Sequence, residues 1–412
     1  MSKEPLLDCK FGSTGHVEIY KKIVKKYSEF NSLYWLKEHA IFMFTWPFKT
    51  DNIIKYDCSY ITEKKCPEKH SIKRYYETIL KRYPNTLYEL RLYRDHEIIQ
   101  FLLDISSALI FLHKHDIYHR DIKPANIVMS TSGRATLIDF SHAHRMIIPL
   151  NQLDAQVVTY YYRSPEVFAY QNTKNTLYDK SIDIYSVGMV LLEILTGEPF
   201  AQHYNQFIKK HVDFEDEYGL LLQDETKALN AIKSFFVSYK RSFKHIDQYW
   251  QWILKMIAHK AKDRFSADEL FEAVKNFADT NKIQYIMPEN GMLAVNVPKL
   301  NNPVYEVDEI LFNKCTQYVC EIKKKHNMFL NPSTIHDLIK FLIGEKIVND
   351  TNYKEQMAAI AIIITTVIFD DVTVLKNYDE LNCQAVINAI ISIVSNYDRH
   401  LFGYNAIFKF NV

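Results

Sequence analysis

Apolar residues recur at two different spacings along this chain of 412 residues. In residues 1–80, short runs rich in β-branched and aromatic residues predict strands, as in HVEIYKKIV, NIIKYDCSYI and SIKRYYETIL. One segment of this region, FNSLYWLKEHAIFMF, places Leu33, Leu36 and Ala40 at helical spacing. The N-terminal region is therefore predicted to be a small sheet with one helix.

Helical spacing dominates residues 81–280, where four segments predict long helices: EIIQFLLDISSALIFLHKH, SIDIYSVGMVLLEILTG, QYWQWILKMIAH and SADELFEAVKNF. Short strand-like runs and a long loop separate the first two segments. Prolines and asparagines punctuate the stretch YIMPENGMLAVNVPKLNNPVYE, so we predict a linker over residues 281–304.

Residues 305–412 form a third predicted domain made of about five helices. Pro332, Ser333 and Thr334 begin the second of these helices, as is typical of a helix N-terminus. The third, NYKEQMAAIAIIITTVIF, is apolar nearly all round and is predicted to lie at the centre of a bundle.

Composition excludes several classes of function. The chain has 50 basic and 49 acidic residues, so no global charge favours binding to nucleic acid or to an acidic membrane. Six cysteines without a CxxC pair argue against a zinc site or a disulfide framework and favour a reducing compartment. The polar N-terminus does not resemble a secretory signal, and the longest apolar run, Met357–Phe369, is too short to span a bilayer.

From these properties we expect a protein of the cytoplasm or nucleus with no membrane partner. The nine glycines, against 28 tyrosines and 25 phenylalanines, and the abundant Asn, Lys and Ile are typical of coding from an AT-rich genome, such as that of a large DNA virus.

Two neighbouring motifs carry the chemistry that phosphoryl transfer requires. The run IYHRDIKPANIV supplies Asp121, then Lys123 two residues on and Asn126 five residues on, and Asp139 ends the run ATLID. Phosphoryl transfer needs a carboxylate to orient the attacking hydroxyl, a cation for the moving charge and oxygen ligands for Mg²⁺. The two motifs provide each of these groups.

These residues resemble the eukaryotic protein kinase family, in which HRDxKPxN marks the catalytic loop. This chain has DFS where the family has DFG. The resemblance implies an α+β, two-lobed fold with a reduced β-rich N-lobe and a helical C-lobe, followed here by an all-α domain. It also implies that Asp121 is the catalytic base, that Lys123 contacts the γ-phosphate of ATP, and that Asn126 and Asp139 bind Mg²⁺. The lysine two residues after the base resembles the Ser/Thr-specific branch.

The run VVTYYYRSPEVF resembles the end of an activation segment in the cyclin-dependent kinase branch. The resemblance implies that Thr159 bridges Asp121 and Lys123. It further implies that Asp183, in the following helix, holds the backbone of the catalytic loop, and that Arg264 pairs with Glu166, the last residue of the SPE run.

Two departures from the family pattern bear on activity and its control. Ser141 replaces the glycine of DFG, so a stiffer loop is expected. Residues Met146–Val158 contain no Ser, Thr or Tyr, so phosphorylation within that stretch cannot activate the loop. We hypothesise that Asp154 stands in for the phosphate and pairs with Arg120; the alternative is an exposed loop aspartate without a partner.

The N-terminal stretch CKFGSTGHVEIYKKI allows two interpretations. In the first, Gly12 and Gly15 belong to a glycine-rich loop over the phosphates, with Lys10 at its first position and Val17 in register. In the second, Gly15 lies in the turn between the second and third strands.

The second interpretation makes Lys21 the ATP-anchoring lysine and Glu38 its partner, with Lys22 as a possible replacement. We favour it because little chain remains between Val17 and the helix of Glu38 for another full hairpin. The first strand and the glycine-rich loop are then missing or reduced to PLLDCKF.

The function predicted from these motifs is a Ser/Thr protein kinase that uses ATP and Mg²⁺ to phosphorylate protein substrates. The alternative is a pseudokinase scaffold that acts through protein–protein contacts, and a small-molecule phosphotransferase is disfavoured by the segment VVTYYYRSPE. The C-terminal domain resembles a cyclin box in length and helix order, although an unrelated helical bundle is the other interpretation. A cyclin-like domain would be an activating partner within the same chain, present at high effective concentration.

Overall fold

The computed structural model describes residues 5–12, 15–29, 34–45, 48–65, 72–145, 158–173, 179–207, 214–293, 307–326, 332–344 and 346–368, with isolated positions between 385 and 393. These residues divide into two compact units. The first comprises the described parts of Met1–Pro47, Lys55–Arg82 and Leu293–Val412, and the second comprises those of Phe48–Ile54 and Tyr83–Met292.

The first unit contains a five-stranded antiparallel sheet with the strand order β1-β2-β3-β6-β5. Helix α1 (Tyr34–Thr45) follows the third strand. This arrangement confirms the predicted small sheet with one helix. The strands have the following bounds: β1 Asp8–Gly12, β2 Gly15–Ile19, β3 Ile23–Glu29, β5 Tyr56–Lys65 and β6 Ile72–Lys81.

The two glycines of the N-terminal stretch CKFGSTGHVEIYKKI lie where β1 is joined to β2, since Gly12 is opposite Gly15 in the sheet register. The favoured interpretation, a turn between the second and third strands, was therefore wrong, and the first strand is present. The error lay in the length assumed for a hairpin, because β1 and β2 have only five residues each and β3 follows at Ile23 after a short turn.

Gly15 also allows two strands to approach closely. A β-carbon at this position would collide with the carbonyl oxygen of Tyr27 in β3. Glycine inside a strand is typical of such close backbone approach. The absence of a side chain at Gly15 therefore allows the close approach of β2 and β3 at this point.

Helix α1 is covered on all sides. Every side chain of α1 that the structure describes between Trp35 and Thr45 is buried, including those of the polar residues Lys37, Glu38 and His39. The helix packs against β3 and against a helix from the C-terminal part of the chain, α12 (Tyr353–Ile368).

Three helices from the C-terminal part belong to this first unit: α10 (Glu309–His326), α11 (Pro332–Gly344) and α12. They confirm the first three predicted C-terminal helices, and α10 packs against both of the others. All side chains from Met357 to Ile363 of α12 are buried, as the apolar pattern predicts for a central helix. The two further predicted helices, at 372–378 and 381–398, lie almost entirely outside the described residues.

The second unit is mainly helical, and its core is built on α2 and α4, which pack against α9 and α8 respectively. Helix α2 is long and apolar enough to cross a membrane by length and composition, but 78% of its most apolar window is buried inside the fold, so it is a core helix. The helices have these bounds: α2 Asp95–Lys114, α3 Pro165–Thr173, α4 Ser181–Thr196, α5 Phe200–Phe207, α6 Phe214–Gln223, α7 Glu225–Tyr239, α8 Ile246–Met256 and α9 Ala267–Thr280.

Short strands complete the second unit: β4 Phe48–Thr50, β7 Asn85–Thr86, β8 Ile117–Tyr118, β9 Ile127–Met129, β10 Ala135–Leu137, β11 His144–Arg145 and β12 Asn290–Leu293. They form three small sheets, ordered β10-β9-β7, β11-β8 and β12-β4. Strand β12 lies inside the segment predicted as a linker, so that segment is partly regular. The combination of sheet and helices confirms the predicted α+β class.

The β9–β10 hairpin places the two chemical motifs side by side. Residues 121–126 precede β9, and Asp139 follows β10. The backbone N–H of Ile138 donates to the carbonyl oxygen of Asn126 at 3.0 Å. The hairpin therefore brings the end of the first motif next to the start of the second.

Candidate active site

A buried carboxylate accepts hydrogen bonds from the backbone of the loop that carries Asp121. Asp183, at the start of α4, accepts hydrogen bonds from the backbone N–H groups of His119 (3.0 Å) and Arg120 (2.9 Å). Its carboxylate is also 2.9 Å from Nε2 of His113 in α2. The contact between Asp183 and the loop backbone is the one that the sequence predicts.

The environment of Asp183 keeps it ionised. Burial alone would raise the pKa of its carboxyl group, but the hydrogen bond and electrostatic attraction of His113, with smaller effects from His119 and the Arg120 amide, outweigh burial. The pKa therefore lies below its ordinary value. A carboxylate is the form that accepts from both backbone amides of the loop.

Asp121 is buried and surrounded by donors. Its Oδ2 accepts from Nζ of Lys123 at 2.7 Å and from Nδ2 of Asn126 at 2.7 Å. Its Oδ1 accepts from the hydroxyl of Thr159 and, at 3.3 Å, from the Thr159 backbone N–H. Because Nζ of Lys123 also donates to the Thr159 hydroxyl at 2.8 Å, Thr159 does bridge the two residues. These donors fix the orientation of the carboxylate.

Asn126 is oriented by the same network. Its side-chain nitrogen donates to the carbonyl oxygen of Asp121 at 2.9 Å as well as to the Asp121 carboxylate. With the nitrogen used in this way, the amide oxygen is the atom that can take a cation. An amide oxygen and the carboxylate of Asp139 are hard oxygen donors, so the set fits the protein share of a Mg²⁺ site, in which water and phosphates supply the other ligands.

Asp139 has an unusual backbone conformation. Its φ of 63° lies in the left-handed region, where it begins a short 3₁₀ turn over Phe140–His142. Oδ1 of Asp139 accepts from the hydroxyl of Ser141 at 2.7 Å.

Arg120 is buried with a φ of 62°, and its Nε donates to the carbonyl oxygen of His142 at 2.8 Å. It therefore contacts the segment that follows Asp139. Asp154 lies outside the described residues, so its pairing with Arg120 stays a prediction.

Glu166 and Arg264 meet in the arrangement that the sequence predicts. The two guanidinium nitrogens lie 2.6 and 2.8 Å from the two carboxylate oxygens, a bidentate ion pair. Arg264 also donates to the carbonyl oxygen of Ala258 at 2.8 Å. The pair fastens the start of α3 to the segment before α9.

A second contact, between Tyr162 and Glu193, was not predicted from the sequence. The hydroxyl of Tyr162 donates to Oε2 of Glu193 in α4 at 2.8 Å. Burial raises the pKa of Glu193 to about 7, although the bond from Tyr162 opposes the shift. The available signal was the single carboxylate in the apolar run VGMVLLEILT.

In the first unit, Glu38 of α1 pairs with Lys26 of β3, not with Lys21. Nζ of Lys26 is 2.9 Å from each of the two carboxylate oxygens, and the Glu38 side chain is only 4% exposed. Lys21 is exposed in the turn before β3, as is Lys22. The prediction that Lys21 is the partner of Glu38 was therefore wrong.

The strand register explains the choice of lysine. Lys26 lies opposite Val17 of β2, whereas Lys25 pairs with Glu77 of β6 through Nζ at 2.7 Å. Neighbouring strand residues point to opposite faces of a sheet. Only one lysine of the Lys25–Lys26 doublet can therefore face α1, and the fold selects Lys26.

Comparison with known proteins shows which family this chain resembles over most of its described residues. The family model described as "Protein kinase domain" matches residues 20–274, more than half of the chain. Cyclin-dependent kinase-like 2 proteins from Rattus norvegicus and Mus musculus are 36% identical, and that from Homo sapiens 35% identical, over 121 residues. The match covers 29% of this chain and 22%, 19% and 22% of the three relatives, so the chain spans about a fifth of the length of the curated relatives it matches.

Proposed function

This chain belongs to the protein kinase family, and we propose that it is a Ser/Thr protein kinase that transfers the γ-phosphate of Mg-ATP to hydroxyl groups of protein substrates. The observation that carries the proposal is the network around Asp121. Lys123, Asn126 and Thr159 all donate to its carboxylate, which is the arrangement needed to hold a base in one orientation.

In the proposed reaction, Asp121 orients the substrate hydroxyl and accepts its proton as the oxygen attacks the γ-phosphorus, while the bond from that phosphorus to the bridging oxygen of the β-phosphate breaks and ADP leaves. Lys123 places a positive charge beside the γ-phosphate, where charge moves during transfer. The kinase pattern implies that Lys26, held by Glu38, is the lysine that anchors the phosphates of ATP. When Mg²⁺ is bound, it neutralises phosphate charge, and Asn126 and Asp139 are the residues that would hold it.

Thr159 supports the choice of serine and threonine as acceptors. Its hydroxyl contacts both Asp121 and Lys123, the bridge that the resemblance to the Ser/Thr-specific branch implies.

The expected product is therefore phosphoserine and phosphothreonine. The test is to incubate the protein with labelled ATP, Mg²⁺ and a generic basic protein substrate, and then to identify the labelled amino acids after hydrolysis. Labelled phosphotyrosine alone would contradict the proposed acceptor class but not the transfer itself. A protein that binds ATP yet labels no substrate would favour the scaffold function instead.

The main argument for a pseudokinase scaffold no longer holds. A first strand and glycine-rich loop that were missing or reduced, as the favoured interpretation of the N-terminal stretch had it, would be a reason to expect a protein without activity, whereas β1 and β2 are both present and Lys26 meets Glu38. These two features favour an enzyme over a scaffold.

We further propose that the C-terminal helices regulate the kinase by holding α1. Helix α12 packs against α1, the helix that carries Glu38, and all the described α1 side chains from Trp35 onward are buried. A helix that holds α1 in place also holds the carboxylate that positions Lys26. The likeness of this part to a cyclin box remains a proposal, and the α12–α1 contact is what a tethered activator requires.

Removal of residues 300–412 is expected to lower kcat/KM for protein phosphorylation by at least about tenfold, because α1 loses its cover and Glu38 its fixed position. The rate of substrate phosphorylation measures the effect. Residues 300–412 supplied as a separate chain should restore only part of the activity, since the tether no longer provides a high local concentration. A truncated protein as active as the full chain would reject a regulatory role for these helices.

A further inference from the structure

Ser141 replaces the glycine that the kinase pattern places after Asp-Phe, and its side chain contacts the residue proposed to bind the metal. The Ser141 hydroxyl donates to Oδ1 of Asp139 at 2.7 Å. The backbone N–H of the same serine reaches that oxygen at 3.4 Å, close to the limit for a hydrogen bond. The hydroxyl therefore makes the shorter of the two contacts, and glycine could not make it.

The backbone at this position does not require glycine. The described non-glycine residues with positive φ are Asp116, Arg120, Asp139, Lys282 and Lys346, and Ser141 is not among them. Serine is therefore accommodated here without left-handed strain. The unusual conformation falls on Asp139, two residues earlier, where the serine hydroxyl meets the carboxylate.

A hydrogen bond at one carboxylate oxygen restrains rotation of the whole group about its bond to Cβ. Such a bond to an ionised acceptor is stronger than one between neutral groups. Hydrogen-bonded partners of metal-binding carboxylates orient the ligand, and their removal typically weakens metal binding about 10- to 100-fold. The contact between Ser141 and Asp139 has the geometry of such a partner.

We propose that Ser141 is a positioning residue for the divalent cation of the nucleotide complex, acting through the carboxylate of Asp139. This inference rests on the proposed kinase function. It assigns to the serine a role in cation binding that a glycine at the same position cannot fulfil.

Three substitutions separate the hydroxyl from the backbone. Ser141→Ala removes only the hydroxyl, Ser141→Gly also restores the backbone freedom of the family residue, and Ser141→Thr retains a hydroxyl on the β-carbon. Ser132→Ala is the matched control, because the Ser132 hydroxyl contacts Ser130 in an exposed turn of the same unit.

The measurement is calorimetric titration of Mg²⁺ into the full chain saturated with a non-hydrolysable ATP analogue. Ser141→Ala and Ser141→Gly should each raise the Mg²⁺ concentration at half-saturation by about tenfold. Ser141→Thr should stay within about threefold of the wild type, and Ser132→Ala should not change it. Binding of the analogue in EDTA and the temperature of unfolding should be the same in all variants.

Two results would overturn the inference. One is a Ser141→Ala protein that binds Mg²⁺ like the wild type. The other is a Ser141→Ala protein whose unfolding temperature and EDTA binding change together with Mg²⁺ affinity, since the serine would then be structural only.

Asp139→Asn distinguishes failure of this inference from failure of the proposed function. If the wild type shows Mg²⁺-dependent binding that Asp139→Asn loses while Ser141→Ala keeps it, the kinase site stands and the role of Ser141 is wrong. If neither the wild type nor Asp139→Asn shows such binding, the proposed function fails, and the inference falls with it.

Discussion

Asp121→Asn is expected to lower kcat for protein phosphorylation by about 10²- to 10⁴-fold, the usual contribution of a positioned base. Asparagine has nearly the same shape as aspartate but accepts a proton far less readily. The groups that face Asp121 are all donors: Nζ of Lys123, Nδ2 of Asn126 and the hydroxyl of Thr159. The amide nitrogen of an asparagine would have to face one of them, so the variant also loses orientation.

Nucleotide binding should change little in Asp121→Asn, because the residue is proposed to contact the acceptor hydroxyl. The measurement compares kcat for a protein substrate with the affinity for an ATP analogue in the same preparation. Asp116→Asn is the matched control, since Asp116 is exposed five residues earlier and already has the positive φ of 56° that asparagine tolerates. Activity of Asp121→Asn within about twofold of the wild type would remove Asp121 from the reaction.

Lys26→Met is expected to lower kcat/KM by at least about 100-fold, whereas Lys21→Met should behave like the wild type. Lys26 meets both oxygens of Glu38, while Lys21 lies exposed in a turn. The lysine–glutamate pair must be in place for phosphoryl transfer in protein kinases. Loss of the ammonium group removes a phosphate contact, which belongs to the class of electrostatic effects worth about 10²- to 10³-fold.

The same substitution also affects stability, because it leaves the carboxylate of Glu38 buried without its cation. Breaking a buried ion pair on one side costs about 3–5 kcal/mol, and less where one partner is partly exposed, as Lys26 is at 20%. The double variant Lys26→Met with Glu38→Gln should recover much of the stability but none of the activity. The two effects can thus be separated by thermal unfolding and by kinetics.

Lys25→Met tests the strand register in the same assay. Lys25 lies next to Lys26 but pairs with Glu77, so its loss should leave activity within a few-fold of the wild type. If Lys21→Met abolished activity and Lys26→Met did not, the assignment of the ATP-anchoring lysine would have to return to Lys21.

The candidate site was largely predictable from sequence where its residues are close along the chain. Asp121, Lys123 and Asn126 lie within six consecutive positions, so a short loop brings them together in any fold that forms it. Other contacts join residues that are distant in sequence, and the kinase resemblance implied each of them. Thr159 contacts Asp121, Asp183 contacts the backbone of the loop, and Arg264 contacts Glu166. The roles proposed for these residues still rest on that resemblance and on the contacts.

The N-terminal strands could not be placed in the same way. The sequence presents two lysine doublets, at 21–22 and at 25–26, and both lie at plausible distances from Glu38. The choice depends on where β3 begins and on which face of the sheet each residue occupies. A shift of one residue reverses every side chain in a strand, so the register decides the partner, and neighbouring strands decide the register.

Contacts between distant side chains were also beyond the sequence. The bond from Tyr162 to Glu193 and the approach of His113 to Asp183 each join two separate elements of the second unit. The contact between Ser141 and Asp139 is local, but it depends on the left-handed backbone of Asp139. From sequence, Ser141 indicates only a stiffer loop, and its hydrogen bond becomes visible once the backbone conformation is known.

The most direct test of the kinase assignment is Mg²⁺-dependent transfer of labelled γ-phosphate from ATP to a generic basic protein, measured for the wild type beside Asp139→Asn. The two proteins differ only in the side chain of residue 139, where an amide nitrogen replaces one oxygen of the carboxylate proposed to bind the cation. The wild type should label serine and threonine in a reaction that requires Mg²⁺, and Asp139→Asn should lose at least about 100-fold of that activity. No labelling by the wild type, or equal labelling by both proteins, would contradict the account.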